Sequence, residues 1–205
     1  MSVAELVERA RDLAGGGGRR LLGITGAPGA GKSTIAKTVV ESLGPQLSVL
    51  VPMDGFHLAN VTLIAWGRRD RKGAWDTFDA DGFVHLLRRL REQTEEYVHA
   101  PDFYRDIEES IGSARPVHRD VPLVVTEGNY LLSGEGAWPQ VAGLLDETWY
   151  LDVDPAVRRE RLVHRHEQHG KTPAEAEAWT DGSDEANARL IAATRARADL
   201  AVTVR

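Results

Sequence analysis

The stretch Gly26-Ala27-Pro28-Gly29-Ala30-Gly31-Lys32-Ser33 decides the expected fold, because it fits the pattern GxxxxGK[ST] at every fixed position. An apolar run of strand length, residues 21–25, precedes it, and a helical pattern over Lys32–Leu43 follows it. Glycines in such a loop let backbone N–H groups surround phosphate oxygens, while a lysine reaches the β- and γ-phosphates and a hydroxyl ligates Mg²⁺. The pattern therefore predicts that residues Gly26 to Thr34 bind ATP, that Lys32 also acts in catalysis and that Ser33 ligates Mg²⁺.

Four further apolar runs have strand length, namely residues 47–53, 123–126, 148–153 and 200–204. They are short and mostly unbroken, which is typical of strands buried on both faces of a parallel sheet. The helical patterns between them cover residues 81–97, 156–168 and 173–197, and a short amphipathic helix opens the chain before the four glycines 15–18.

Strands that alternate with helices predict an α/β P-loop NTPase fold with a five-stranded parallel sheet flanked by helices. We expect a single kinase-like domain over residues 1–205. A helical lid is expected over about 156–190, and an insertion that shapes the acceptor site over about 55–110.

The composition excludes several classes of function. Of the 205 residues, 42% are hydrophobic and 27% are charged, as in an ordinary globular protein. The net charge of −6 opposes nucleic acid as a partner, since a duplex requires clustered Lys and Arg. The absence of cysteine excludes disulfides, thiolate metal sites and cysteine nucleophiles. With neither a signal-peptide pattern nor an apolar run of about 18 residues, we expect a cytoplasmic protein without a membrane partner.

Acidic residues follow three of the predicted strands, and the carboxyl ends of parallel strands open on one ligand-binding edge. Glu127 follows the third strand and is predicted to hold Mg²⁺, directly or through water; the alternative is a turn residue at a strand end. Asp54 follows the second strand and is predicted to be the base for an acceptor hydroxyl; the alternative is a turn before Gly55. Asp154, which follows the fourth strand with Asp152, is better explained as a helix cap.

Arg158, Arg161 and Arg165 lie at i, i+3 and i+7, and so share one face of a predicted helix. A phosphoryl group in transfer requires positive charge around its oxygens, which predicts catalytic roles for these arginines in a lid. The alternative is a solvated basic face. Nearby histidines lack companion acids at metal-binding spacing and are interpreted as surface residues: His164, His166 and His169.

Polar side chains of the insertion are candidates for the acceptor pocket: His57, Arg68, Lys72, Asp76, Tyr104 and Arg105. The run 68–72 is strongly basic. It could hold an anionic acceptor, or it could be a solvated loop.

With these residues in place, the sequence resembles the P-loop kinase group that contains uridine kinases, phosphoribulokinases and type I pantothenate kinases. The resemblance covers about residues 20–204. The group's motifs are similar to Asp54-Gly55-Phe56, Phe78-Asp79-Ala80-Asp81, Pro101-Asp102-Phe103-Tyr104 and Glu127-Gly128. More narrowly, residues 72–79 and 187–191 resemble a bacterial subgroup labelled uridine-kinase-like or fructose-transport-system kinases.

The resemblance implies an ATP- and Mg²⁺-dependent kinase that phosphorylates a hydroxyl group on a small metabolite, either a nucleoside or a pantothenate-like or sugar-like acceptor. Uridine kinases carry Asp-Ser-Phe-Tyr where this chain has Gly55 and His57, while Gly55 is nearer the pantothenate kinase pattern and His57 occurs in phosphoribulokinases. Two alternatives of another class are a nucleotide-dependent switch or ATPase, and a non-catalytic nucleotide-binding regulatory module. A homodimer is one arrangement that the sequence allows.

Overall fold

A computed structural model describes residues 1–203 of the chain. Its strands are β1 (Arg20–Thr25), β2 (Ser48–Leu50), β3 (Tyr97–Tyr104), β4 (Glu109–His118), β5 (Leu123–Glu127), β6 (Glu147–Asp152) and β7 (Leu200–Thr203). The central sheet has the strand order β2-β5-β1-β6-β7, and all of its pairings are parallel. The predicted five-stranded parallel sheet is confirmed; residue 204, predicted to end the last strand, lies outside the described residues.

The helices are α1 (Val3–Gly15), α2 (Lys32–Leu43), α3 (Asn60–Ala65), α4 (Ala80–Arg91), α5 (Pro139–Ala142), α6 (Pro155–Gln168), α7 (Pro173–Trp179) and α8 (Glu185–Ala192). One face of the sheet packs on α1 and α2 through residues such as Leu22 and Ile24. The opposite face packs on α4 and on aromatic side chains, including Tyr130 and Trp138. Both faces are therefore covered, as the unbroken apolar strands predict. Within residues 1–203, no helix is both long and apolar enough to cross a bilayer.

Two of the predicted helices were wrong in extent. The helix predicted over 81–97 ends at Arg91, because the Gln93 amide donates to the carbonyl groups of Glu95 and Val117 and ties the turning chain to β4. The helix predicted over 173–197 is divided by a π-helical turn, Thr180–Asp184, that separates α7 from α8. The acids of this turn bind side chains of α6, as described below.

The β3–β4 hairpin was not predicted. It is an antiparallel pair outside the central sheet, with a register shift between Ala100 and Asp102. Only Val98, Ala100 and Val117 of the pair are fully buried, and its other residues are partly or fully exposed, so its apolar pattern is weak. The sequence analysis had assigned its first residue to the end of the helix predicted over 81–97 and the rest of β3 to the insertion.

The hairpin packs directly on the 3₁₀ turn Met53–Phe56 that follows β2. A Cβ atom at Gly55 would lie 2.5 Å from the carbonyl oxygen of Pro101 and 2.8 Å from its carbonyl carbon. Both atoms are backbone, so neither can rotate away. Gly55 therefore allows β3 to approach this turn closely.

We predict that Gly55→Ala destabilises the protein by about 1–3 kcal/mol and lowers its melting temperature by several degrees, because the added methyl group pushes β3 outward. Gly112→Ala is the matched control, since a Cβ atom at that hairpin glycine has no neighbour within 4 Å. Thermal unfolding of both variants tests this. Equal melting temperatures would show that the hairpin does not depend on the contact.

Candidate active site

The phosphate loop lies between β1 and α2, as the motif predicts. At Gly26 the backbone has φ = 149°, and a Cβ atom there would lie 2.8 Å from the carbonyl oxygen of Leu151 in β6. The ammonium group of Lys32 is buried and donates to the carbonyl oxygens of Gly26 (2.9 Å) and Ala27 (3.0 Å). Burial lowers the pKa of Lys32 to about 8, and the carboxylates of Glu127 and Asp54 act against that shift.

Glu127 ends β5 and lies beside the start of α2. Its Oε1 accepts a hydrogen bond of 2.8 Å from the Ser33 hydroxyl. Burial, and after it the Asp54 carboxylate, raise the pKa of Glu127. A hydroxyl beside a carboxylate is the kind of oxygen pair that fits Mg²⁺, which completes its shell with phosphate oxygens and water. Among residues 1–203 no group of three acidic or histidine side chains is arranged to hold a metal by itself.

Asp54 lies in the 3₁₀ turn after β2, with its carboxylate 3.2 Å from the guanidinium of Arg105. Its carbonyl oxygen accepts from His57, at 3.1 Å from the backbone N–H and at 2.8 Å from Nδ1. Because a carbonyl can only accept, the proton of the neutral ring lies on Nδ1 and Nε2 is an acceptor. Burial lowers the pKa of His57, which favours this neutral form.

The ring of His57 is fixed between two aromatic side chains. Its centroid lies 4.0 Å from that of Phe78 and 4.5 Å from that of Phe103. Phe78 lies just before α4 and Phe103 belongs to β3, so segments on either side of α4 hold one imidazole.

The three arginines of α6 have different surroundings. Arg158 is buried and paired with Glu185, and its Nη1 has no hydrogen-bond partner. Arg161 is exposed and lies beside the phosphate loop, with Nη1 3.7 Å from where a Cβ atom at Gly31 would be.

Arg165, the last of the three, lines the cleft. Burial, and then the nearby charge of Arg105, lower the pKa of the Arg165 guanidinium. Arg161 therefore lies beside the phosphate loop and Arg165 lines the cleft, whereas Arg158 pairs α6 with α8.

A cleft of about 330 Å³ gathers ten of the side chains or loop residues singled out from the sequence: Pro28, Gly29, Lys32, Ser33, Asp54, His57, Lys72, Arg105, Glu127 and Arg165. Three acceptor candidates lie outside its lining. The carboxylate of Asp76 pairs with Arg68 and with Arg71, and Tyr104 is 48% exposed on the hairpin. We therefore leave Arg68, Asp76 and Tyr104 out of the proposed acceptor site.

The interpretation of His166 as a surface residue was wrong. Its Nε2 lies 2.7 Å from the carboxylate of Asp184, and the two side chains are only 14% and 10% exposed. Asp184 comes from the π-helical turn, 18 residues further along the chain, so no local spacing could reveal the pair. His164 and His169 are exposed.

Several residues that line the cleft were not predicted: Arg69, Phe103, Asn129, Lys171, Trp179, Ser183 and Asn187. Three of them had a partial signal: Arg69 lies in the basic run 68–72, Phe103 lies in the Pro101–Tyr104 motif, and Asn187 opens the 187–191 motif that the sequence shares with a kinase subgroup. Ser183 comes from the π-helical turn and Trp179 ends the helix directly before it, and the sequence pattern predicts no break at either position.

Together the loop, the buried lysine and the acids at the ends of adjacent parallel strands define a P-loop nucleoside-triphosphate-binding enzyme. Residues 21–204 match the Phosphoribulokinase / Uridine kinase family, and the chain belongs to that family. It is therefore a small-molecule kinase of a family that uses ATP, which confirms the class predicted from the motifs.

Individual relatives cover nearly the whole chain. A candidate uridine kinase of Schizosaccharomyces pombe is 34% identical over 200 residues, which span 93% of this chain and 85% of the relative. The uncharacterized protein YggC of Escherichia coli K12 is 33% identical over 90% of this chain and 77% of its own length. The solved structure of a candidate fructose transport system kinase from Silicibacter sp. TM1040 has a TM-score of 0.89 and 38% identity, covering 98% of this chain and 99% of the other.

We predict that Arg158→Ala acts on stability, contrary to the catalytic role expected for it from the sequence. Its loss leaves Glu185 with only the exposed guanidinium of Arg189, 3.5 Å away, and should cost about 2 kcal/mol, less than a fully buried pair because Glu185 stays partly exposed. Arg159→Ala is the matched control, since its partner Asp181 and Arg159 itself are both largely exposed. Denaturant unfolding should show a large loss for the first variant and hardly any for the second. A stable Arg158→Ala protein with strongly reduced turnover would restore the catalytic role.

We predict that Lys32→Ala lowers ATP turnover on the order of a hundredfold or more, because the loop loses the charge that stabilises the phosphates. Lys37→Ala, an exposed lysine of the same helix, is the control and should keep the wild-type rate. ADP release, measured on variants of confirmed fold, checks this. Similar rates for the two variants would exclude Lys32 from the phosphate site.

Proposed function

We propose that this kinase transfers the γ-phosphoryl group of ATP, with Mg²⁺, to a hydroxyl group of a small metabolite, with Asp54 as the general base. The observation that carries this proposal is that the Asp54 carboxylate lines the same cleft as Lys32, Ser33 and Glu127. An alcohol is a weak nucleophile until its proton is accepted, so transfer to an alcohol requires a base near the phosphate loop. Asp54 can serve as that base because it is separate from Ser33 and Glu127, the pair proposed to hold Mg²⁺.

The proposed transfer is a single displacement. The acceptor oxygen forms a bond to the γ-phosphorus, and the bond from that phosphorus to the β–γ bridging oxygen breaks with its electron pair remaining on ADP. The hydroxyl proton passes to the Asp54 carboxylate, which Arg105 orients at 3.2 Å. His57 Nε2 is placed to accept a hydrogen bond from the substrate.

Other side chains of the cleft stabilise the charge of the triphosphate. Lys32 meets the β- and γ-phosphates, while Arg165 and Arg161 approach from α6. Ser33 and Glu127 would hold Mg²⁺, which when bound neutralises phosphate charge and fixes the geometry of the triphosphate. The hairpin and the segment of the insertion before α4 cover the acceptor side and limit the access of water.

We predict that Asp54→Asn lowers acceptor phosphorylation by about 10²–10⁴-fold, while ATP affinity changes by no more than a few fold. Asparagine keeps the size of the side chain but cannot take the proton. The measurement is a coupled ADP-release assay over nucleosides, pantothenate and sugars, together with titration of ATP binding.

Asp152→Asn is the control for this variant. Asp152 also ends a strand of the same sheet, but its carboxylate pairs with Arg195 outside the cleft lining. It should keep the wild-type rate. Wild-type phosphorylation by Asp54→Asn would remove the base role and favour a nucleotide-dependent ATPase or switch.

A further inference from the structure

The basic run 68–72 is divided by the structure into two pairs with different surroundings. Arg68 and Arg71 both bind the carboxylate of Asp76, outside the cleft lining. Arg69 and Lys72 line the cleft, and within residues 1–203 neither forms a hydrogen bond or short ion pair with a carboxylate. The run is thus neither a wholly solvated loop nor a uniform basic patch.

The loop that carries Lys72 is anchored. The Tyr130 hydroxyl donates to the carbonyl oxygen of Gly73 at 2.7 Å, and the indole N–H of Trp138 donates to that of Trp75 at 3.1 Å. Both donors belong to the buried aromatic core. Lys72 is therefore held on a fixed backbone.

The Lys72 ammonium is satisfied only by neutral groups. It donates to the side-chain oxygen of Asn60 at 2.9 Å and to the carbonyl oxygen of Glu108, and it lies 5.2 Å from the ring centroid of Phe103. Two acids are near. The Glu109 carboxylate accepts from the backbone N–H of Asn60, and the Glu108 side chain is exposed.

The charges of the cleft form two groups that meet at Asp54. The charges that shift the pKa of Lys32 include those of Glu127, Asp54 and Arg165. The charges that shift the pKa of His57 are those of Asp54, Lys72 and Arg105. The first group surrounds the phosphate loop, and the second lies on the side of the insertion and hairpin.

Arg105 also lies close enough to Arg165 for its charge to lower the pKa of that guanidinium. Six Lys or Arg residues line the cleft against four acids, although the whole chain carries a net charge of −6. Excess positive charge is therefore concentrated where substrates bind.

We propose that Arg69, Lys72 and Arg105 form an oxyanion subsite, and that the acceptor is a small hydroxy compound bearing a carboxylate or a phosphate group. This inference rests on the proposed kinase function, because it places the anion on the acceptor side of Asp54. A guanidinium fork at Arg69 matches two oxygens of either group, and Lys72 adds a point charge. A neutral nucleoside or sugar would leave Arg69 and Lys72 without an ion-pair partner, since only Arg105 of the three already pairs with a carboxylate, that of Asp54.

The first experiment measures anion binding while Mg²⁺ and a non-hydrolysable ATP analogue occupy the phosphate loop. Inorganic phosphate and malonate are titrated against chloride at constant ionic strength, with the melting temperature as readout. We expect both anions to stabilise the wild-type protein. Arg69→Gln and Lys72→Gln should raise the apparent Kd by about 10–100-fold. Arg71→Gln, a member of the same run outside the cleft lining, should bind like wild type.

The second experiment measures ADP release with matched acceptors: D-gluconate against D-glucose, pantothenate against pantothenol, and D-ribose 5-phosphate against D-ribose. Turnover of a charged member but not of its neutral partner supports the subsite, and the pair concerned distinguishes a carboxylate from a phosphate. The KM of that acceptor should rise in Arg69→Gln and Lys72→Gln, with kcat and the KM of ATP nearly unchanged.

The subsite and the kinase function can fail separately. No stabilisation by either anion, or equal stabilisation of wild type, Arg69→Gln and Lys72→Gln, would overturn the subsite. Equal turnover of charged and neutral partners would also overturn it and would leave the kinase function standing. Anion binding lost in both variants, with no acceptor phosphorylated, would support the subsite and count against the proposed transfer.

Discussion

The buried ammonium group of Lys32 is the constraint on which the rest of the cleft depends. Removing that charge from water costs free energy, and burial lowers its pKa to about 8. Two carbonyl oxygens of the loop and the carboxylates of Glu127 and Asp54 keep it charged. The parallel sheet supplies this arrangement, because β1 and β2 both flank β5 and their carboxyl ends therefore converge. The proposed roles of Glu127 toward Mg²⁺ and of Asp54 toward the acceptor proton depend on this convergence.

The other walls of the cleft come from segments outside the sheet. The hairpin brings Arg105 to Asp54 and Phe103 to His57, and its close approach is possible because residue 55 has no Cβ atom. On the opposite wall, acids of the π-helical turn and of α8 hold α6 in place. Asp184 binds His166, and Glu185 pairs with Arg158. A π-helical turn at a functional site is a recurring feature of proteins. Here its acids Asp181 and Asp184 bind Arg159 and His166 of α6.

Much of the site could be predicted from the sequence, because its central parts are local. The phosphate loop is eight consecutive residues between a strand and a helix, and Asp54 and Glu127 directly follow apolar runs. The sequence could not reveal the surroundings of a side chain whose partner is distant in the chain. By periodicity Arg158 shares a helix face with Arg161 and Arg165. In the structure it is buried and pairs with Glu185, which joins α6 to α8. The hairpin was missed because few of its side chains are buried, so its apolar alternation is weak.

The sequence by itself determined the fold class, the family resemblance and the position of the phosphate loop. The reason is that motif spacing and the apolar runs of buried strands can be read directly from consecutive residues. Only the tertiary structure decided which cations face the cleft. In the run 68–72, four basic side chains look alike in sequence, but Asp76 binds two of them and the anchored loop turns Arg69 and Lys72 inward. The physical reason is that the environment of a charge is set by long-range packing and pairing, which no local pattern records.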